Sequence, residues 1–336
     1  MLPRSLLPAA LTAALLTGCG GDDEAARDPA GAVPASARAQ VRDARTVDAS
    51  AFPQAGAKSL EELAAEFDTQ GPQAVAAASV YTPPRDRLAF GLLDEKLKFV
   101  YGDTVVYLQR RGGGKVLGPF PAPADVLLTE PRFRSQQAAS EKDPFAAIYT
   151  AEVPVPKPGI WNALVVSDTG GRRIAAPMDF QAVASGKDPI PDVGEPAPRV
   201  ETDTLASVNG DEDLLSTRTP KAPELHEKSF ADVVGRKPVA LLFATPQLCQ
   251  SRVCGPVVDE MLQLKARYGD RMAFIHQEVY AGNDPNQGLR EPLKRFRLQT
   301  EPWLFTVRAD GTVAARLEGS IGLGGFEDAI KAALRG

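Results

Sequence analysis

The chain has 336 residues, 43% of them hydrophobic, and a formal net charge of −5. That length predicts about two domains with real cores once an export segment and linkers are set aside. The acidic balance and the lack of a basic stripe argue against nucleic acid and against an anionic lipid surface as partners.

At the N-terminus, Arg4 precedes an apolar stretch from Leu6 to Leu16, followed by Leu16-Thr17-Gly18-Cys19. A positive start, an apolar run too short to span a bilayer and small residues before a cleavage point predict a secretory signal. The Leu-Thr-Gly-Cys end resembles the lipobox of bacterial lipoproteins. The resemblance implies that residues 1–19 are a signal peptide with lipobox, that Cys19 is lipidated, and that the protein is lipid-anchored in the cell membrane facing away from the cytoplasm. An ordinary signal peptide and an uncleaved anchor are the alternatives. No later run is long and apolar enough to add a span, so membrane contact is expected through lipid on Cys19. The chain has three cysteines; with Cys19 consumed as a thioether, Cys249 and Cys254 are expected to pair in a compartment where disulfides persist.

Residues 20–57 are Gly, Asp, Ala, Pro and Arg without periodicity, which predicts a disordered tether. Within residues 58–183, Leu60, Leu63, Ala64 and Phe67 have helical spacing over Ser59 to Phe67. From Tyr81 to Val183, short β-rich runs such as Thr104–Leu108, Ala147–Val153 and Trp161–Val166 alternate with turn clusters such as Gly112-Gly113-Gly114 and Lys157-Pro158-Gly159. That pattern predicts an all-β antiparallel sandwich. It resembles an immunoglobulin-like accessory domain, and Pro158-Gly159-Ile160-Trp161 resembles a strand start whose Trp fills the core; a ligand platform is the alternative for Trp161. The region has no cysteine, no histidine and no catalytic cluster, so a spacing or binding role is expected.

Residues 184–227 are rich in Pro, Asp, Glu and Thr and read as a linker or an irregular lead-in. Val193-Gly194-Glu195-Pro196-Ala197-Pro198 resembles the G-x-x-A-P opening of thioredoxin-like enzymes of the peroxiredoxin and membrane-anchored reductase type. Over residues 228–336 the elements are a strand at Val239–Phe243, a cysteine loop, a helix from Gly255 to Tyr268, a strand at Met272–Tyr280, and a short helix around Arg290–Phe296. A strand at Trp303–Val307, an Asp310-Gly311 hairpin turn into Thr312–Leu317, and an amphipathic helix through Phe326, Ala329, Ile330, Ala333 and Leu334 complete it.

This β-α-β-α-β-β-α order, with two cysteines between the first strand and its helix and a proline opening the third strand, resembles the thioredoxin fold. The chain is therefore read as multidomain, an N-terminal immunoglobulin-like sandwich followed by a C-terminal α/β thioredoxin-like domain. In that family the proline is cis and the backbone before it helps bind substrate, which implies that Pro302 and the backbone of Glu301 position a partner chain. The cysteines depart from the family: Cys254-Gly255-Pro256-Val257 keeps the first half of Cys-Gly-Pro-Cys, and the second thiol lies upstream at Cys249. The resulting Cys-x-x-x-x-Cys also resembles one branch of the peroxiredoxins, in which the first cysteine attacks peroxide. Thr245 lies one residue too far from Cys249 for that pattern, however, and Pro302 stands where an activating arginine belongs.

Cys254 directly precedes Gly255-Pro256 at a helix mouth, where the helix N-terminus and Arg252 are expected to lower its thiol pKa, with Cys249 as partner. The peroxiredoxin alignment reverses these roles. Copper chaperones of this fold use two cysteines and a distant histidine, but neither His226 nor His276 follows the proline strand, and no metal is expected. Nor is a cofactor or nucleotide: Gly319–Gly325 matches no phosphate-binding motif. The function expected is thiol–disulfide exchange with protein thiols and disulfides through Cys249 and Cys254. The alternative is a binding or assembly lipoprotein in which the pair is a structural disulfide.

Overall fold

The computed structural model describes residues 38–138, 145–184, 186–249 and 253–335. The expected signal segment, Cys19 and Arg252 lie outside the described residues. Among the described residues no helix is long and apolar enough to cross a membrane.

Three four-stranded sheets organise the described residues. The first two are antiparallel and built from β1 (Gln73–Ala76), β2 (Arg85–Leu93), β3 (Asp103–Arg110), β4 (Leu117–Pro121), β5 (Ala124–Val126), β6 (Ala147–Pro154), β7 (Gly159–Asp168) and β8 (Arg173–Ala182). Their orders are β1-β2-β6-β5 and β4-β3-β7-β8. Side chains alternating along the strands meet between the sheets: Leu88 and Phe90 of β2 and Tyr149 of β6 pack with Val106 of β3 and Val165 of β7 in one core. Trp161 lies in that core, 3% exposed, with its indole N–H donating to Lys157 O at 3.0 Å, so packing and not a ligand platform accounts for it.

The expected tether is folded over its described part. Helix α1 (Arg38–Ala44) buries Val41 and Ala44 in the sandwich core, and α2 (Leu60–Ala64) follows behind a Ser59/Glu62 capping box. Phe52, Ala55 and Leu63 cover the outer face of β3 and β7, against Val105, Tyr107, Leu164 and Val166. Burial on both faces explains why β3 reads as continuously apolar. The anchors in residues 38–57 are isolated in a polar stretch and have no period, which is why composition alone suggested disorder.

The third sheet consists of β9 (Val239–Phe243), β10 (Ala273–Gln277), β11 (Trp303–Val307) and β12 (Val313–Glu318) in the order β10-β9-β11-β12. β10 runs parallel to β9, whereas β11 is antiparallel to both β9 and β12. Ala240, Leu242 and Leu304 face one core with α5 (Cys254–Tyr268) and α7 (Leu323–Leu334). Leu241, Phe243 and Phe305 face a second core with α4 (Phe230–Val233) and α6 (Glu291–Phe296). A strand covered on both faces must be apolar throughout, as β9 is. This is the element order that the thioredoxin resemblance implied, and the region has a thioredoxin-like fold.

The described residues of 184–227 are an irregular lead-in packed on this domain rather than a free linker, with a short α-helix, α3 (Glu212–Leu215), and a 3-10 turn at Pro223–His226. The stretch from Gly194 to Ala197 lies beside the start of β12: Gly194 N donates to Val313 O, Val313 N to Glu195 O and Ala197 N to Gly311 O. Ile190 and Val200 are buried in the same core as Leu241.

The two domains are joined by polar contacts around the future site. Glu318 accepts from the backbone N–H groups of Ser79 and Val80 at 2.7 and 2.8 Å and from Thr300 Oγ1 at 2.6 Å. Asp125 of the sandwich accepts from Gly324 N and Gly325 N at the start of α7, both at 2.8 Å. The segment after β5 reaches α5, where Ser135 N donates to Asp259 at 2.9 Å.

Candidate redox site

β9 ends at Phe243, and the chain turns at once: Leu248 N and Cys249 N both donate to Thr245 O, at 3.3 and 3.1 Å. Helix α5 then starts on Cys254, with Pro256 in its first turn, where a missing N–H costs nothing. Neither cysteine is in a disulfide, and both are buried. Cys254 is fully buried and its thiol is hydrogen-bonded to Cys249, which is buried as well but keeps 8% of its surface exposed.

Burial pushes the Cys254 thiol well above its ordinary pKa, reinforced by the hydrogen bond to Cys249 and by its charge; the Thr245 backbone opposes this, and Glu301 adds the least. This corrects the expectation that the helix mouth makes Cys254 the more acidic thiol. A helix terminus contributes about 0.3–1 kcal/mol at exposed sites, and complete desolvation of a thiolate outweighs it.

The Glu301–Pro302 peptide is cis, and Pro302 O accepts from Gly319 N at 2.9 Å. Glu301 is half-buried, and its carboxyl is raised first by burial and then by the charge of Cys249. The backbone N–H and C=O of Glu301 have no backbone partner among the described residues. Cys249, Cys254, Glu301 and Pro302 therefore form one cluster. Tyr280, which no sequence motif marks, belongs beside it: burial raises its phenol, and Glu301, Cys249 and Cys254 raise it further.

A second unforeseen feature is a cap from the sandwich. Gln136 N donates to Thr219 O at 2.7 Å, and Thr219 N donates to Gln137 Oε1 at 3.0 Å. These bonds bring the Gln137 carbonyl so close to α5 that a Cβ at Gly255 would lie 2.2 Å from its oxygen. Only glycine allows this approach. Gln136, Gln137, Pro246, Gln247 and Cys249 line a polar cleft of about 440 Å3 that gives access to Cys249.

The two histidines lie beneath the site and pair with each other. His276 on β10 donates from Nε2 to Ala244 O at 2.9 Å, so its Nδ1 accepts from His226 Nε2 at 3.4 Å. Burial lowers their pKa values to about 3 for His226 and about 4 for His276, leaving both neutral. Among the described residues no three His, Cys, Asp or Glu side chains converge on a metal-sized site.

No family model matches the chain, and no curated protein matches it. Among solved structures it is similar to one from Chlorobium tepidum named as a thiol:disulfide interchange protein DsbE, at 18% identity and a TM-score of 0.29, over 43% of this chain and 99% of that one. A Chlorobium tepidum TLS thiol:disulfide interchange protein of the thioredoxin family matches at 19% identity and a TM-score of 0.29, over 41% of this chain and 95% of that one. The thioredoxin-like superfamily protein SPOA0173 matches at 14% identity and a TM-score of 0.23, over 32% of this chain and 86% of that one. The thioredoxin-like fold is read here from the chain's own strand order.

Proposed function

We propose that the protein is a membrane-anchored, extracytoplasmic thiol–disulfide oxidoreductase that exchanges disulfides through Cys249 and Cys254, held outside the cytoplasm by lipid on Cys19. The observation that carries the reading is the asymmetric thiol pair: Cys249 lining an open cleft, hydrogen-bonded to the fully buried Cys254, beside the cis Glu301–Pro302 peptide. Burial holds Cys254 as a thiol, whereas Cys249 lines the cleft, so Cys249 is taken as the attacking group. The sandwich is read as immunoglobulin-like. Its orders β1-β2-β6-β5 and β4-β3-β7-β8 support this, because the constant-type order ABED and CFG is the same with one strand added beside C.

In the reaction, the Cys249 thiolate attacks one sulfur of a partner's disulfide. The partner's S–S bond breaks, its second sulfur leaves as thiolate, and a mixed disulfide forms on Cys249. Cys254 passes its proton to the departing thiolate and attacks the Cys249 sulfur. The mixed disulfide breaks, the chain keeps a Cys249–Cys254 disulfide, and the partner leaves two electrons richer, the sulfur released from Cys249 as a thiolate that takes a proton from water to complete the dithiol. The same steps in reverse oxidise a partner dithiol. The free N–H and C=O of Glu301 offer the partner's backbone a place to pair during the attack.

The reading is tested by the potential of the pair and by reduction of insulin. A potential above about −300 mV and loss of insulin reduction in Cys254→Ser are expected. A potential far below that value, with Cys254→Ser reducing insulin as well as the wild type, overturns it. A second reading, an assembly lipoprotein with a structural disulfide, is favoured by one observation, the cap that Gln137 places on the helix mouth at Gly255. Its chain-entropy gain, about 2 kcal/mol for so short a loop, is small.

A further inference from the structure

Beside the cysteine pair lies a cavity of about 370 Å3 that neither domain forms alone. The sandwich contributes Leu93, Phe99, Phe145 and Ile148, and the thioredoxin-like domain contributes Val253 and Glu301. Val253 immediately precedes Cys254, and Glu301 immediately precedes Pro302. Phe99 and Phe145 form a tilted pair at 4.7 Å, and Phe145 also packs on the core that holds Cys249 and Val253. The size falls in the roughly 300–1,000 Å3 of ligand pockets, which are mostly apolar with a few polar groups that fix orientation.

The polar groups here have one sign. Two carboxylates, Glu318 and Glu301, line the cavity, with no lysine or arginine among its lining residues. Glu318 is already satisfied by Ser79, Val80 and Thr300. Glu301 has no hydrogen bond or ion pair with a described residue, and its carboxyl faces the charge of Cys249. A half-buried carboxylate at the rim of an apolar cavity attracts a cation that arrives with apolar surface attached. The cavity wall also includes β1, an edge strand paired on one side only, to β2. Alternate N–H and C=O groups of Gln73–Ala76 point away from β2, where an extended chain can pair.

We propose that this interdomain cavity is the specificity pocket for the partner protein. It takes a large apolar side chain next to the partner's half-cystine, with an adjacent lysine or arginine on Glu301. The inference rests on the exchange reading of Cys249 and Cys254 and adds the class of substrate that the sandwich selects.

The test uses full-length protein, pre-reduced, and second-order rate constants for three probes. One peptide has an internal disulfide flanked by Phe-Lys, a second has the same disulfide flanked by Ser-Glu, and hydroxyethyl disulfide is too small to use the pocket. The wild type is expected to prefer the Phe-Lys peptide at least tenfold after both rates are divided by the hydroxyethyl disulfide rate. Ala76→Phe, which fills the cavity from an exposed position, and Glu301→Gln, which keeps the shape, are each expected to cut that preference at least threefold. A wild-type preference near one, or a preference that survives both variants, overturns the pocket while exchange with hydroxyethyl disulfide leaves the redox reading standing. Failure to exchange with any probe overturns both.

Discussion

The Cys254 thiol is hydrogen-bonded to Cys249; Cys254 is fully buried, whereas Cys249 keeps 8% of its surface exposed. The two thiols are therefore chemically unequal before any partner arrives. Iodoacetamide at pH 8 is expected to modify Cys249 in the folded, reduced protein and to reach Cys254 only after unfolding, read by peptide mass spectrometry. Equal labelling of both would contradict the burial.

The cap over the helix mouth predicts a single-atom effect. In Gly255→Ala the new Cβ meets Gln137 O at 2.2 Å, so the segment around Gln137 must shift. A cost of about 1–3 kcal/mol is expected from overpacking. Faster alkylation of Cys249 should accompany it, because Gln137 and Cys249 line the same cleft. Unchanged denaturation and labelling would show that the cap does not guard the site.

Arg218 and Asp259 form a buried ion pair at 2.9 Å, with side chains 3% and 1% exposed, and Arg218 also donates to Phe133 O. Asp259→Ala leaves a buried cation uncompensated, and a loss of about 3–5 kcal/mol is expected by urea denaturation. The pair joins the lead-in to α5 and touches the sandwich. Limited proteolysis should therefore begin near residues 130–138 in the variant.

Glu260 is fully buried on α5 with no hydrogen bond to either carboxyl oxygen, and burial holds its pKa well above the ordinary range. A carboxyl whose folded pKa is raised binds more protons folded than unfolded, so its contribution to stability falls as pH rises above about 4.3. Glu260→Met is expected to stabilise the protein by about 1–3 kcal/mol at pH 7.5, and by much less at pH 4.5. Denaturant midpoints at the two pH values decide it.

The histidine pair works in the opposite direction. Both imidazoles have folded pKa values lowered to about 3 and about 4, against about 6.5 unfolded, so the unfolded chain binds more protons in that window. Stability from these groups is complete above about pH 7 and falls as pH drops from about 6.5 toward 4, by up to about 1.4 kcal/mol per pH unit for each ring. His226→Phe should flatten that part of the stability–pH curve relative to wild type, and an unchanged slope would show that the pair stays neutral for another reason.

The thioredoxin-like half was legible because its signals are local and strong. Val239–Phe243 is apolar on both faces, Pro256 marks a helix start, and Pro302 opens a strand. Trp161 was legible as core for the same reason, a strand run bounded by turn residues. Burial of Cys254 was not, because the core that holds it joins its own helix to Leu304 of β11 and to Phe133 and Phe145 of the sandwich, all far away in sequence. The cavity at Phe99, Phe145 and Val253 and the contact between Gln137 and Gly255 depend on how two domains dock, and no periodicity encodes that. The paired histidines are 50 residues apart and meet where the 3-10 turn Pro223–His226 packs on β10.

Separate trapping with Cys249→Ser and Cys254→Ser tests the exchange mechanism most directly. Each variant is incubated with an extracytoplasmic protein extract, quenched with acid and alkylated, and resolved on non-reducing gels. Cys254→Ser should accumulate a mixed disulfide through Cys249, reversible by dithiothreitol, and Cys249→Ser should not. Capture by Cys249→Ser alone would reverse the assignment of nucleophile, and capture by neither would contradict exchange itself.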